Sequence, residues 1–180
     1  FCAERLAVPQ RSVMLLIPKL SQENSWLKDL NNDFIHDWHD LAVEKDEVWM
    51  LEDEDGDGIA DVSTQILNDF NDEVNDVAGA LLVRNEDVFL GIGPDMYRLK
   101  DTNNDLVLDD KESIATGFAV HIGFGGHGMS GAIEGPDGKI YWGIGDIGAN
   151  ITTVDGVNHK YPNQGVIVRS NPDGTDSEYS

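Results

Sequence analysis

An internal repeat limits the folds that are open to this chain. The segment "VWMLEDEDGDGIAD" aligns without gaps to "MYRLKDTNNDLVLD" at an offset of 101 − 53 = 48 residues. A second pair, "GALLVRNEDVFLGIG" from Gly79 and "GAIEGPDGKIYWGIG" from Gly131, aligns without gaps at 131 − 79 = 52 residues. Repeats of this period are typical of architectures in which each unit buries its apolar face against a neighbouring unit.

Each repeat unit reads as four short strands. The segments "GALLV", "DVFLGIG", "MYRL" and "SIATGF" are separated by turn residues, and the first three are rich in β-branched, aromatic or other large apolar residues. Four strands in about 40 to 50 residues indicate one blade of a β-propeller. We therefore predict an all-β fold, a propeller that is six-bladed when complete, of which this chain holds about two and a half four-stranded blades.

The predicted blade pieces are residues 47–70, 79–118 and 131–180, preceded by an N-terminal segment, 1–46. The third piece is predicted to lack its last strand and to carry an insertion, "DIGANITTVDGVNHKYPNQ", before the strand "GVIVRS". The chain starts at Phe1 and stops after "NPDGTDSEYS". We therefore expect it to be a fragment of a larger protein.

The charge of the chain excludes several classes of partner. Its 12 Lys and Arg face 34 Asp and Glu, giving a formal net charge of −22. Nucleic acid and anionic membranes require a basic surface, so we expect neither as a partner. The apolar run "VMLLI" is too short to insert into a membrane. The single Cys2 excludes an intrachain disulfide, and no C-x-x-C-H haem motif occurs.

The acidic residues cluster in segments that follow the rhythm of a calcium-binding loop. Such loops place side-chain oxygens at positions 1, 3, 5 and 9 and a main-chain carbonyl at position 7, because calcium takes six to eight oxygen ligands. The first segment, with Gly58 at the sharp turn, offers Asp53, Asp55, Asp57, Ile59 and Asp61. The second, with Leu106 at that turn, offers Asp101, Asn103, Asp105, Val107, Asp109 and, at position 12, Glu112.

A third segment near the N-terminus has the same spacing but a competing interpretation. Its candidate ligands are Asp29, Asn31, Asp33 and Asp37, with Asp40 at position 12 and Phe34 at the turn. However, Trp26, Leu30, Phe34, Trp38 and Leu41 recur at nearly helical spacing, which favours an amphipathic helix over 22–42. For all three segments the alternative to calcium is a solvated acidic turn, since Asp, Asn and Gly favour turns for backbone reasons.

A histidine lies in a run of glycines, "GGHGMSG". His127 precedes the first strand of the third unit, and Asp146 follows the second strand, so an antiparallel pair brings both to one end of the sheet. The acidic turns join the third and fourth strands, which places them at the opposite end. His127 is then either a packing residue or a general base oriented by Asp146, since imidazole titrates near neutral pH. His121 is the rival candidate.

The segment "HGMSGAIEGPDGKIYWGIGDIGAN" resembles the signature of the soluble quinoprotein glucose and sorbosone dehydrogenases. The segments "LEDEDGDGIAD" and "RLKDTNND" also resemble the propeller domains of large bacterial proteins described as membrane-bound dehydrogenases, often fused to cytochrome c modules. The resemblance implies that His127 takes a hydroxyl proton while hydride passes to pyrroloquinoline quinone, and that Asp146 orients His127. His121 and Asn150 are candidates for contacting the cofactor.

The resemblance further implies a sugar or alcohol substrate, calcium and the quinone as cofactors, a cytochrome c as electron acceptor, and an extracytoplasmic location. The cationic residues that hold the quinone's carboxylates belong to later blades in that family. Two other functions stay open. One is a non-catalytic, calcium-stiffened propeller that binds glycans or proteins. The other is a lactonase-like hydrolase, for which Asp146 and Asn150 supply only two metal-binding groups.

Overall fold

The computed structural model describes residues 12–17, 32–34, 46–70, 78–118 and 127–180. Within these ranges all regular secondary structure is β-strand, arranged in three antiparallel sheets that do not close into a barrel. The strands are β1 (Ser12–Ile17), β2 (Asp46–Glu52), β3 (Val62–Phe70), β4 (Ala78–Arg84), β5 (Asp87–Ile92), β6 (Asp95–Lys100), β7 (Asp110–Phe118), β8 (Met129–Glu134), β9 (Ile140–Ile144), β10 (Gly148–Thr153), β11 (Asn158–Pro162), β12 (Val166–Ser170) and β13 (Glu178–Tyr179). The all-β prediction is confirmed.

The first sheet has the order β1-β2-β3. Its strand β3 stands 48 residues before β7, as the repeat predicts, since 62 + 48 = 110 and 70 + 48 = 118. The strand β2 likewise ends 48 residues before the end of β6, since 52 + 48 = 100. The N-terminal segment, which the sequence analysis did not count among the blade pieces, supplies β1 at the edge of β2. A free strand edge exposes unpaired N–H and C=O groups, and β1 satisfies those of β2.

The second sheet contains the predicted meander β4-β5-β6-β7 and is extended to six strands by β10 and β11. These two added strands come from the insertion, which folds as a hairpin and pairs with β7 rather than with its own unit. The third sheet has the order β8-β9-β12-β13. The prediction that its last strand is missing is wrong, because Glu178–Tyr179 pairs with β12.

The pairing registers refine the second repeat. The bulge near the start of the first strand falls between Ala78 and Ala80 in β4 and between Met129 and Gly131 in β8, an offset of 129 − 78 = 51. The ends of the second strands, Ile92 and Ile144, differ by 144 − 92 = 52. The turn between β8 and β9 is therefore one residue longer than its counterpart, and the gapless alignment misplaces the first strand by one.

Two apolar cores lie between the three sheets. Along β5 the side chains alternate, so Val88, Leu90 and Ile92 pack against the first sheet. Phe89 points the other way and packs against the third sheet, with Trp142 and Ile144. Because β5 is buried on both faces, it reads as a continuous apolar run. The second sheet is thus the middle layer of three sheets stacked face to face.

Equivalent aromatic residues pack in both interfaces between the sheets. Phe70, at the end of β3, contacts Tyr97 of the second sheet with ring centroids 5.0 Å apart. Phe118, 48 residues later at the end of β7, contacts Trp142 of the third sheet at 6.2 Å. Tilted aromatic pairs at these separations are favourable. The repeat is therefore one of packing as well as of sequence.

Candidate functional site

His127 and Asp146 meet at one end of the third sheet. His127 lies just before β8, Asp146 lies just after β9, and these strands are antiparallel. The His127 Nδ1 and Asp146 Oδ1 atoms are 2.6 Å apart. The side chains are 56% and 72% exposed, so the pair is open to a ligand from solvent. The structure brings together the two residues that the sequence selected.

A glycine turn holds Asp146 against His127. The Gly145 N–H donates to the Gly128 carbonyl at 2.8 Å, and the Gly148 N–H donates to the Gly145 carbonyl at 3.1 Å. A Cβ at position 145 would collide with the His127 backbone, and Gly148 adopts a φ of +83°. Glycine is needed at both positions because one admits the neighbouring backbone and the other adopts a left-handed conformation.

The hydrogen bond determines what the imidazole can do. When the Nδ1–H of a neutral histidine donates to a carboxylate, the lone pair resides on Nε2. A proton accepted there creates an imidazolium, which the Asp146 carboxylate stabilises. The geometry therefore suits proton abstraction from a ligand at this end of the sheet.

Two other residues, His121 and Asn150, were candidates for this site. His121 lies outside the described residues. Asn150 lies on β10, exposed and opposite Lys160. Among the described contacts, none joins the Asn150 side chain to His127 or Asp146. The pair is therefore the part of the predicted site that the structure assembles.

The turn 53–61 folds around its own carboxylates. Asp53 accepts hydrogen bonds from the Gly56 N–H at 2.6 Å and the Gly58 N–H at 3.0 Å, and Asp61 accepts one from the Glu54 N–H at 2.9 Å. Oxygen atoms of Asp53, Asp55 and Asp61 lie within 4.8 Å of one another. Three converging carboxylates are a chemically suitable donor set for calcium.

The turn 101–109 repeats this pattern. Asp101 accepts from the Asn104 N–H at 2.6 Å and the Leu106 N–H at 3.0 Å, which are the positions of Gly56 and Gly58. Asn104 and Leu106 adopt φ values of +64° and +70°, as the two glycines do at +81° and +91°. The replacement of the turn glycine by Leu106 thus leaves the backbone path unchanged.

The N-terminal segment shows the same backbone signature where it is described. Asn32 and Phe34 adopt φ values of +62° and +66°, and they occupy the fourth and sixth positions, as Asn104 and Leu106 do. A right-handed helix needs negative φ, so residues 32–34 are a turn and not part of a helix. Asp33 is exposed within this turn. The other candidates here, Asp29, Asn31, Asp37 and Asp40, lie outside the described residues.

Asp109 closes the turn 101–109, much as Asp61 closes the first. It accepts hydrogen bonds from the Thr102 N–H at 2.8 Å and from the Thr102 hydroxyl at 2.9 Å. These donors hold the pKa of Asp109 below its usual value. Asp109 is therefore a carboxylate at neutral pH, as a metal ligand must be.

Glu112 lies elsewhere than predicted. It belongs to β7, opposite Arg98 in the register, and its carboxylate is 3.8 Å from an Arg98 guanidinium nitrogen. The spacing that places a ligand at position 12 of a helical calcium loop does not carry over, because a strand follows this turn. The Glu112 carboxylate, which was expected in the turn, thus forms an ion pair with Arg98 instead.

Sequence reasoning missed the corresponding turn of the third sheet. Residues 171–177 join β12 to β13, and the Lys139 ammonium donates to the Asp176 carbonyl at 3.0 Å, to Asp176 Oδ2 at 2.9 Å and to Glu178 Oε1 at 2.9 Å. The turn is thus supplied with a cation by the protein. The dipeptides "NP" and "DG" in "NPDGTDSEY" signal the turn, but nothing local to them signals Lys139.

The described residues do not form a cradle for pyrroloquinoline quinone. Such a group, with several carboxylates, would need Arg or Lys beside His127. Arg84 binds Glu134, Arg98 and Lys100 bind Asp87, and Lys139 and Arg169 bind Glu178. Lys111 lies 4.5 Å from the centre of the Phe70 ring. These groups are engaged with acids or aromatic rings. Lys160 is exposed on β11, opposite Asn150. A single lysine is too few cations for a group with several carboxylates, so the quinone does not fit the part of the chain described.

Residues 26–180 match a protein family described as "Domain of unknown function (DUF7133)". The chain belongs to this family. No curated protein and no solved structure matches the chain. In the described part of this DUF7133 chain, no helix has the length and apolar character required to cross a membrane. The DUF7133 match covers all three sheets apart from β1.

Proposed function

We propose that this DUF7133 chain is part of a β-propeller oxidoreductase that oxidises a hydroxyl group of a sugar or alcohol. The three stacked sheets are consecutive blades, and His127 is the general base. The observation that carries this proposal is the 2.6 Å contact between His127 Nδ1 and Asp146 Oδ1 at an exposed sheet end. Proton removal from a weakly acidic hydroxyl requires such an oriented base.

Asp146 and the glycines around it have different roles at this site. Asp146 accepts the Nδ1 hydrogen bond, which directs the basic Nε2 lone pair towards a bound hydroxyl. It then stabilises the imidazolium that forms. The Gly145 and Gly148 turn keeps the carboxylate in place. Pyrroloquinoline quinone would serve as the hydride acceptor, but the described residues do not fit it, so its binding would depend on groups outside them.

The acidic turns act as calcium sites that stiffen the opposite end of the sheets. The converging oxygens of Asp53, Asp55 and Asp61 support this role, and so does the matching backbone of the turn 101–109. Calcium sites of modest affinity are typical of proteins that meet millimolar calcium outside the cytoplasm. An extracytoplasmic location is part of the proposal on this ground and on the family resemblance.

The test is turnover by the protein supplied with calcium and pyrroloquinoline quinone, measured as reduction of an artificial electron acceptor with aldoses and polyols. His127→Ala should lower the rate by about 10²- to 10⁴-fold, the usual contribution of a general base. Asp146→Asn should lower it less and displace the pH–rate profile. The matched control Asp110→Asn, an exposed acid at the opposite end, should leave the rate unchanged.

All of these variants should keep the melting temperature of the parent, since the altered side chains are exposed. Unchanged turnover in His127→Ala would remove this residue from the mechanism. A parent protein that turns over no hydroxyl substrate would argue against the oxidoreductase as a whole.

A non-catalytic, calcium-binding propeller is the second candidate. It is favoured by the high exposure of the His127–Asp146 pair, which suits a binding surface as well as a catalytic one. This function predicts calcium-dependent binding to glycans or proteins without turnover. The lactonase-like hydrolase has less support, because the carboxylate cluster found among the described residues lies in the turn 53–61 and not beside His127.

A further inference from the structure

The third sheet has an apolar face that points away from the other two sheets. This outward face is formed by Gly131, Ile133, Tyr141, Gly143 and Ile167. Ile133 and Ile167 are 66% and 48% exposed, whereas their neighbours Trp142 and Val168, on the inward face, are fully buried. An open depression of about 320 Å³ lies over the glycines of this face.

The repeat shows what covers the equivalent face of the second sheet. The pairing registers make Leu82, opposite Phe89, equivalent to Ile133, opposite Tyr141. By the same registers Met96, opposite Gly91, is equivalent to Ile167, opposite Gly143. In the second sheet these positions pack against the third sheet, and Phe89 and Met96 are both 0% exposed.

One side chain from the third sheet fills the glycine position. A Cβ at Gly91 would collide with the Met129 sulfur, so the Met129 side chain occupies the space that Gly91 leaves. A Cβ at the equivalent Gly143 would meet no atom of another sheet. The two faces thus share their residue pattern and differ in whether a sheet covers them.

We propose that the outward face of the third sheet docks a further antiparallel sheet, formed by another unit of this repeat in the same polypeptide. The incoming first strand would place a Met, or another unbranched apolar side chain, over Gly143, as Met129 lies over Gly91. Stacking in chain order, as the three sheets already stack, makes the next repeat unit the natural occupant. The proposal rests on the blade arrangement but not on chemistry at His127, so stability tests it separately from activity.

The experiment compares three substitutions in two proteins, the 180-residue chain and the longest natural reading frame that contains it. Leu82→Glu places a charge on the covered face and should lower the melting temperature of both proteins by about 5 °C or more. Ile133→Glu places the same charge at the equivalent position. It should lower the melting temperature by less than about 2 °C in the 180-residue chain and by about 5 °C or more in the longer protein. Val157→Glu, an exposed apolar position in the insertion, should be neutral in both.

Amide hydrogen exchange of the unsubstituted proteins gives a second measurement if a variant fails to fold. The amides of β9 and β12 should exchange at least tenfold more slowly in the longer protein. Equal effects of Ile133→Glu in both proteins, with equal exchange, would overturn the proposal. So would a reading frame that ends at Ser180, or a stable dimer of the 180-residue chain that Ile133→Glu dissociates.

Discussion

Three turns at the end of the sheets opposite His127 bring acidic side chains together, and their negative charge is stabilised in two different ways. In the turns 53–61 and 101–109, carboxylates accept hydrogen bonds from backbone N–H groups, and in the turn 53–61 three carboxylates also converge on one another. In the turn 171–177, Lys139 lies among the oxygens. Lys139 is the repeat equivalent of Asp87, since 139 − 87 = 52, so the charge at this position is reversed between sheets. From this difference we expect the stability of the first two turns to respond to an external cation and that of the third turn to be independent of one.

The turns also differ in how they pack. A Cβ at Gly174 would collide with the carbonyl oxygen of Ile114 in the second sheet, whereas a Cβ at Gly58 would meet nothing. The Asp176 N–H donates to Asp155 at 2.9 Å, and the Ser177 hydroxyl lies 2.9 Å from His159 Nε2. The turn 171–177 is therefore fastened to the second sheet and to the insertion hairpin, while the turn 53–61 projects into solvent.

The largest expected effect is the difference in stability lost when the glycine of each of these two turns is replaced by alanine. Gly58 and Gly174 have φ values of +91° and +83°, so alanine costs about 1 kcal/mol at either position for backbone reasons alone. At Gly174 the methyl group also meets Ile114, which raises the loss to about 2–4 kcal/mol. Urea unfolding of the two variants measures the difference. Equal losses would show that the turn 171–177 is not packed as described.

The next effect tests the dependence on an external cation. Calcium at 100 times its dissociation constant stabilises a folded site by about 2.7 kcal/mol, so a chelator should lower the melting temperature by about 5–10 °C. The double variant Asp53→Ala with Asp57→Ala should lose part of this response, and Asp173→Ala, in the third turn, should keep all of it. A melting curve that is indifferent to chelator would contradict calcium binding by these turns.

The smallest effect concerns Lys139. Lys139→Met should lower the melting temperature by about 2–4 °C, equally with calcium and with chelator, since ion pairs to exposed acids such as Asp176 and Glu178 contribute little. Hydrogen bonds to Glu178 and Asp176 raise the pKa of Lys139, and hydrogen bonds from Lys139 and Arg169 lower the pKa of Glu178. If added calcium restored the melting temperature of Lys139→Met to that of the parent, a metal ion would be able to replace the Lys139 ammonium.

The pH dependence of that difference follows from the signs of the two shifts. The raised pKa of Lys139 makes its contribution complete below the ordinary lysine value, and the contribution is lost as the pH rises through the folded pKa. The lowered pKa of Glu178 makes its contribution complete above the ordinary glutamate value, and it is lost as the pH falls through the folded pKa. The difference in melting temperature between the parent and Lys139→Met should thus be constant between about pH 5 and pH 10 and should disappear at either extreme.

The repeat predicted most of the strands and the meeting of His127 with Asp146. This succeeded because strand alternation and short turns are local, and antiparallel pairing then determines which strand ends coincide. Glu112 was placed wrongly because a strand and not a helix follows the turn 101–109, and the pairing of that strand with β6 sets Glu112 opposite Arg98. The alternatives for the N-terminal segment could not be separated from the sequence, since helical spacing and calcium-loop spacing coincide there. The left-handed residues Asn32 and Phe34 decide for a turn where the segment is described.

The β-strand content, the four-strand unit, the acidic turns and the common end at which His127 and Asp146 lie could all be predicted from the order of the amino acids. Each of these depends on residues that are close in the chain or related by the repeat. Three contacts could be seen only in the folded chain: the insertion hairpin joins the second sheet, β1 pairs with β2, and Lys139 supplies the turn 171–177 with its cation. These contacts join segments far apart in sequence, and they form because free strand edges and unpaired charges take whichever partner the stacking of the sheets brings near.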